Sequence, residues 1–361
     1  MSRARLRDLG IHIGRMPAGE HNAISDVPGV WVGHVTLNYD EPHVARTGAT
    51  VIVPRGGDIW GDHTFAGFHS FNGCGEMTGM HWLAESGLLS YPIVLTATHQ
   101  VGVAHEAIAA YGLEKGLVDL FALSVVGETW DGWLNDTSAF ALRREHIYAA
   151  MEAAGGGPVA EGNVGGGTGM ICHGFKGGIG TASRLAETAG GRYTLGALVQ
   201  ANHGARVDLR VDGVPVGRLI GPGVVPLPRP VAPAGGSVLV VIATDAPLLP
   251  GQCERLARRA AVGFARVGGI GHNGSGDLFL AFATGNHIPA AAGAPVEVTM
   301  LPNQQMNPLF EALAEAVEEA ILNALTAAET MTGFRGRTAH ALPLAELQAA
   351  LAGRDSGEVA G

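Results

Sequence analysis

The 361 residues carry a net charge of −10, with 47% hydrophobic and 16% charged side chains, which provides for a large buried core. No basic stripe with interleaved aromatics is present, which excludes nucleic acid and anionic membrane surfaces as expected partners. The three cysteines, Cys74, Cys172 and Cys253, are odd in number and far apart, so neither a disulfide framework nor a metal spacing among them is expected; without a signal-peptide core or an apolar run long enough to span a membrane, a soluble cytoplasmic protein is expected.

A turn at Asp26-Val27-Pro28-Gly29 precedes two predicted strands, residues 30–36 and 48–54. A long glycine-rich loop is expected from Gly56 to Glu76, then a helix over 77–87 closed by a glycine. Residues 93–98 form a predicted strand, 103–111 a helix, and 121–126 a strand that runs into Gly127-Glu128-Thr129-Trp130-Asp131. A helix over 146–154 follows. The glycine cluster 162–169 lacks the Gly-Lys-Ser/Thr of a phosphate-binding loop. A strand over 195–201 ends in Asn202-His203-Gly204. Residues 217–233, rich in Pro and Gly, are the linker candidate. They deliver the chain to Pro233-Ala234-Gly235-Gly236-Ser237, and the apolar run 238–244 that follows has the length and bounds of a buried strand.

Beyond it, Leu256, Ala260, Phe264 and Val267 mark one face of a helix over 254–267. Residues 278–284 form a predicted strand. Asn307-Pro308 opens a long helix, with Asn as cap and Pro at the first helical position. Leu309, Leu313, Val317, Ile321 and Leu325 give its buried face, and Gly333 is expected to end it. The tail from Ser356 is small and polar, expected to fray. Strands and helices occur without strict alternation, which favours two stacked sheets with helices outside over one doubly wound sheet. One domain built from both sides of the linker is expected.

Four polar sites stand at predicted strand ends. Gly236 can adopt backbone angles closed to other residues, so the Gly236–Ser237 peptide can be held strained. A serine there can attack the preceding carbonyl, break the chain and become a new N-terminus. Its freed α-amine, with a pKa of about 7.7–8.0, is then its own general base. Ser275 and Asp277, two apart on an extended segment, point the same way and form a hydroxyl–carboxylate relay. Glu128, between a strand end and Trp130 and Trp133, suits a cationic substrate group, with the rings excluding water. The Asn202 amide can donate to an oxyanion. Taken singly, each fits an ordinary turn or acidic loop as well. Of the 15 histidines none pairs with a carboxylate at metal-ligand helical spacing, so no metal is expected.

Together these residues resemble a known family. The segments Asp26-Val27-Pro28-Gly29-Val30, Arg46-Thr47-Gly48-Ala49-Thr50, Phe71-Asn72-Gly73, Gly75-Glu76-Met77-Thr78-Gly79, Gly127-Glu128-Thr129, Leu134-Asn135-Asp136, Gly165-Gly166-Gly167-Thr168-Gly169, Asn202-His203-Gly204, Gly236-Ser237 and Ser275-Gly276-Asp277 occur in the order of the self-processing serine aminopeptidases. That family includes the L-aminopeptidase/D-amidase/D-esterase and the β-peptidyl aminopeptidases. The resemblance implies an α/β (α+β) fold, a four-layer αββα sandwich like that of the ornithine acetyltransferases. It implies autocleavage before Ser237 of a single 1–361 domain into an α part, 1–236, and a β part, 237–361. Ser237 would be the nucleophile, Ser275 and Asp277 its partners, Asn202 the oxyanion-hole amide and Glu128 the carboxylate that binds the substrate amine. Trp130 stands where the family often carries a pocket-lining Tyr, and Ala97-Thr98-His99-Gln100 departs from the family's Asn-Thr form. The implied substrates are short peptides, amino amides or esters, D- or β-aminoacyl ones included, with no cofactor and with processed protomers assembled as a homotetramer. Two alternatives accompany this reading: an acyltransferase of the ornithine acetyltransferase type, which uses Thr at the cleavage point, and an unprocessed amine-binding protein.

Overall fold

The computed structural model describes residues 3–229 and 235–355. In chain order the strands are β1 (Trp31–Tyr39), β2 (Ala45–Val53), β3 (Asp62–Gly73), β4 (Leu88–Leu89), β5 (Ile93–Ala97), β6 (Val125–Thr129), β7 (Ile171–Cys172), β8 (Phe175–Lys176), β9 (Gly178–Thr188), β10 (Gly191–Asn202), β11 (Gly235–Thr244), β12 (Gly274–Pro289), β13 (Met331–Thr332) and β14 (Thr338–Ala339). The helices are α1 (Met80–Ser86), α2 (Val101–Glu114), α3 (Arg144–Glu152), α4 (Val216–Leu219), α5 (Pro250–Arg266), α6 (Asn307–Ala327) and α7 (Leu344–Asp355).

One sheet has the order β1-β2-β5-β6 and a second the order β4-β3-β12-β11-β10-β9. Helices α2 and α3 cover the outer face of the first, where Val51, Val94 and Val126 meet Ala104, Ile108 and Ile147. Helices α5 and α6 cover the outer face of the second, where Val240 and Phe279 meet Leu256, Phe264 and Val317. The inner faces pack on each other through Ile52, Ile93 and Leu95 against Leu198, Leu239 and Leu280. This is the four-layer αββα sandwich expected.

Strand β11 shows why its register is fixed. Val238, Val240 and Ile242 belong to the helix-side core. Leu239, Val241 and Ala243 belong to the core between the sheets. Fully burying a Val or Leu is worth about 1.5–3 kcal/mol, so a one-residue slip that exchanged the faces would misplace the whole row. The strand pairs antiparallel with β10 and parallel with β12. Within this sheet β11 and β12, which follow the Gly236–Ser237 peptide, are flanked on both sides by strands that precede it.

Several expectations shift. The glycine-rich loop expected over 56–76 holds β3, an inner strand of the second sheet. Its Gly67 reflects packing: a Cβ there would overlap the backbone of Glu254 on α5. Strand β9 had no predicted counterpart, because Gly, Thr, Ser and Arg interrupt its apolar pattern. Its Arg184 is nonetheless fully buried, paired with Glu315 at 2.9 Å and Glu319 at 2.6 Å on α6. The strand expected over 121–126 begins at Val125, and Phe121 is exposed. Helix α6 is capped by Met306 with Asn307 already helical, and it ends at Ala327, short of Gly333. The linker candidate contains α4 and buried Val225; its residues 230–233 lie outside the described residues, as do Ala234 and the tail from Ser356.

Candidate active site

Strand parity builds the site. Asn202 and Ser237 are paired across β10 and β11, and Ser237 and Gly276 across β11 and β12. Ser237 has the parity of Leu239, so it faces the other sheet, as does Asn202, which has the parity of Leu198. On that other sheet, β6 carries Glu128 in its last turn of residues, paired with Thr96 of β5. Glu128, Trp130, Asn202, Gly236 and Ser237 line one cavity of about 640 Å³.

At the junction, the chain passes through Gly236 with φ 146, a backbone that side chains rarely adopt. A Cβ at Gly236 would lie 2.5 Å from the carbonyl oxygen of Asn202 and 2.7 Å from the Cα of His203. The Ser237 hydroxyl donates to the carbonyl oxygen of Gly236 at 2.7 Å and accepts from the Gly276 N–H at 3.3 Å. It is thus held over the peptide on its own N-terminal side.

Asn202 is fixed at both ends of its amide. Its Oδ1 accepts from the Ile171 N–H at 2.9 Å, and its Nδ2 donates to the Trp130 carbonyl at 3.0 Å. The amide has a second N–H for the cavity. Glu128 is buried. Its Oε1 accepts from the Glu76 N–H at 3.0 Å and its Oε2 from the Thr98 hydroxyl. Burial raises its pKa above the ordinary carboxylate value, while the Thr98 and Glu76 hydrogen bonds oppose the rise. A cation entering the cavity is what such a carboxylate lacks. Trp130 is exposed at the cavity wall.

Ser275 donates to Asp277 Oδ1 at 2.7 Å, so the pair lies on one side as its spacing predicts. That side has the parity of Phe279 and Ala281, which face the helices. The pair is therefore buried one strand over from Ser237, on the opposite face, with Gly276 between them. Burial pushes the Asp277 carboxyl up to about 6 against the Ser275 hydrogen bond.

Two further residues hold the site together. Thr98 fixes the Glu128 carboxylate, and its segment stood out in the sequence only as a departure. Gln200, buried between the sheets, donates to the Thr96 carbonyl and the Thr129 hydroxyl, each at 2.8 Å. It ties the strand that bears Asn202 to those flanking Glu128. Nothing in its apolar stretch marks it, because its role exists only once the sheets stack.

Among the described residues, Cys172, His173 and His203 bring potential metal-ligand atoms within 4.8 Å of one another. The sequence spacing conceals this group, since His203 follows a different strand. The His203 ring packs edge-on against His173 and Phe264, at 5.1 and 4.8 Å between centroids. Burial drives the Cys172 thiol up to about 12, His173 down to about 4 and His203 well below its ordinary value, so without a bound ion all three are neutral at pH 7.

The sequence and the fold have known counterparts. Residues 22–339 match peptidase family S58. The chain is 46% identical over 364 residues to the β-peptidyl aminopeptidase BapA of Sphingosinicella microcystinivorans, covering 96% of this chain and 91% of that protein. Among solved structures, a Burkholderia sp. β-aminopeptidase superposes with TM-score 0.91 at 52% identity, over 98% of this chain and 99% of the other. The L-aminopeptidase D-Ala-esterase/amidase of Ochrobactrum anthropi, described as a variant of the Ntn hydrolase fold, gives TM-score 0.89 at 41% identity over 99% of each chain. With the site in place and these relatives aligned nearly end to end, the chain belongs to peptidase family S58 and is an aminopeptidase.

Proposed function

We propose that the Gly236–Ser237 peptide breaks by its own chemistry and that Ser237 then serves as the nucleophile for substrates. The observation that carries this reading is the Ser237 hydroxyl on the Gly236 carbonyl, inside the cavity that Glu128 also lines. Oγ attacks the carbonyl carbon of Gly236, the C–N bond breaks, and the α-amine of Ser237 leaves with the proton. Water then hydrolyses the resulting ester and frees the hydroxyl. The products are an α part, 1–236, and a β part, 237–361, that remain one domain because β11 and β12 are held in one sheet between strands of the α part.

In turnover, Glu128 holds the ammonium of the substrate. Ser237 attacks the carbonyl while its own amine takes the proton, and Asn202 Nδ2 receives the oxyanion. Ser275, backed by Asp277, orients the released amine from the neighbouring strand. Water completes the cycle by releasing the acyl group. The substrates are short peptides and amides with a free N-terminal amine. A β-aminoacyl residue is the preferred one, a reading supported by the β-aminopeptidase names of relatives at 46% and 52% identity. The family resemblance also supports a cytoplasmic homotetramer of processed protomers. Exposed Leu120 and Phe121 favour burial against another copy.

The experiment is intact mass of the purified protein, followed by hydrolysis of matched L-, D- and β-aminoacyl amides and their N-acetyl forms. Two fragments that co-elute, with turnover confined to free amines, are expected. A full-length species with normal activity sinks the nucleophile assignment, because an internal Ser237 has no free amine.

A further inference from the structure

Two guanidinium groups reach the cavity wall, and they differ in what they hold. Arg206 is spent on its own scaffold: it donates to the carbonyls of His173, Gly174, Ile220 and Val225, and lies 3.4 Å over the Phe175 ring. Among the described residues Arg229 makes no such hydrogen bonds to backbone carbonyls. Its Nε is buried without a hydrogen-bond partner. Among the described residues no acid bears on its charge. Its guanidinium is instead carried on aromatic faces, 5.2 Å from the Trp130 ring and 4.8 Å from the Trp133 ring.

A second cation crowds the same place. Arg337 lies 4.1 Å over the Trp133 ring and likewise has no carboxylate among the described residues. Burial and the Arg337 charge both lower the Arg229 pKa, with no acid offsetting them. Half-buried like charges without a counterion are costly. Two indoles hold the Arg229 fork in place beside the nucleophile's cavity, so its rotamer freedom is already restricted before any ligand arrives.

We propose that Arg229 binds the C-terminal carboxylate of the leaving residue, so that dipeptides are favoured substrates. This rests on the aminopeptidase reading above and adds the far end of the substrate to it. Glu128 takes the ammonium, Ser237 the scissile carbonyl, and the Arg229 fork the carboxylate, with Trp130 as the wall between the two charged ends. A guanidinium matches a carboxylate with two parallel hydrogen bonds, which a terminal amide or anilide cannot accept in the same way.

The test compares three substrates with one N-terminal residue: the aminoacyl-glycine, its C-terminal amide, and the aminoacyl-anilide. In the unmutated protein the dipeptide should have the lowest KM. Arg229→Ala should raise KM for the dipeptide by about 10–100-fold, the range for losing a charged hydrogen bond, with kcat and both neutral substrates little changed. Arg229→Lys should restore part of the difference. An internal acidic side chain is the other source of a carboxylate, and an aminoacyl-aspartic α-amide, whose β-carboxylate stays free, separates it: a response to Arg229 there and not in the dipeptide overturns the terminal-carboxylate assignment. Equal losses on all substrates make Arg229 a support for Trp130 and overturn the proposal. If the unmutated protein turns over the amide and anilide but shows no preference for the dipeptide, only the Arg229 proposal fails. If it turns over none of them, the aminopeptidase reading fails with it.

Discussion

The Ser237 hydroxyl donates to the carbonyl oxygen of Gly236, the other half of its own peptide, at 2.7 Å. Gly236 itself takes φ 146, a backbone that side chains rarely adopt. Gly236→Ala places a Cβ 2.5 Å from the Asn202 carbonyl oxygen. Backbone must move, at a cost above about 1 kcal/mol. We expect the variant to remain one chain, or to mature many times more slowly, while still folding. Intact mass against time measures this. Maturation at the unmutated rate is the result that dismisses strain at this peptide.

In the proposed mechanism Glu128 serves the incoming amine and not the internal peptide. Glu128→Gln should therefore cleave normally at Ser237 yet raise KM for free-amine substrates. The sign of the pH effect follows from burial, which raises the carboxyl pKa in the free enzyme. Binding an ammonium favours the ionised form and draws that pKa down, so affinity weakens as pH falls through the free-enzyme value. The unmutated protein should show this acid-side rise in KM and Glu128→Gln should not. An identical KM profile in both would remove the carboxylate from amine binding.

Asp277 gives activity and stability opposite pH dependences. Its carboxyl lies at about 6 in the folded chain, against about 3.9 in model peptides. The native state therefore holds this proton more tightly than the unfolded chain does. Its contribution to stability is full below pH ~4 and is lost as pH rises through about 6. The Ser275 hydrogen bond is stronger to the ionised form, so turnover should gain over the same interval. At saturating substrate, with Glu128 paired to the ammonium, kcat falls first as the Ser237 α-amine takes a proton near pH about 7.7–8.0, and a second, steeper limb should appear below pH ~6. Asp277→Asn should abolish that limb and flatten the acid-side change in urea midpoint. Retention of the limb in Asp277→Asn would assign it elsewhere.

The legible parts of this chain are those where local pattern and tertiary role agree. The run 238–244 is apolar throughout because both its faces are buried, and Leu256 to Val267 keeps a helical stripe because only one face is. Glu128, Asn202, Ser237, Ser275 and Asp277 stood at predicted strand ends, so their chemistry was readable before their neighbours were. Strands β3 and β9 were not readable. Gly67 answers to a helix 187 positions away in sequence, at Glu254, and Arg184 is tolerable in a core strand only because Glu315 and Glu319 arrive from α6. Thr98, Gln200 and Arg229 became visible for the same reason. Each acts across a gap between elements that no local spacing records. The two-residue spacing of Ser275 and Asp277 gave their mutual contact, but the strand pairing alone shows that they face away from the side Ser237 occupies.

Asn202 is held by two hydrogen bonds of opposite sense, which permits a clean separation of its roles. Asn202→Ala removes the acceptor for Ile171 N–H and the donor for the Trp130 carbonyl together, so lost turnover would mix positioning with catalysis. Asn202→Asp keeps the shape and an oxygen facing Ile171, but replaces the NH2 with an oxygen. It sets that oxygen against the Trp130 carbonyl and against a developing oxyanion. Loss of one oxyanion donor typically costs about 100–1,000-fold in kcat. We expect at least that loss in Asn202→Asp, with KM changed far less, because the amine site at Glu128 is on the other sheet. Chain cleavage should slow as well, since the same oxyanion forms when Ser237 attacks Gly236. Single-turnover kinetics and the rate of appearance of the two fragments measure both. If Asn202→Asp keeps near-normal kcat, the oxyanion is held by backbone N–H groups, with that of Gly276, 3.3 Å from the Ser237 hydroxyl, the first to test.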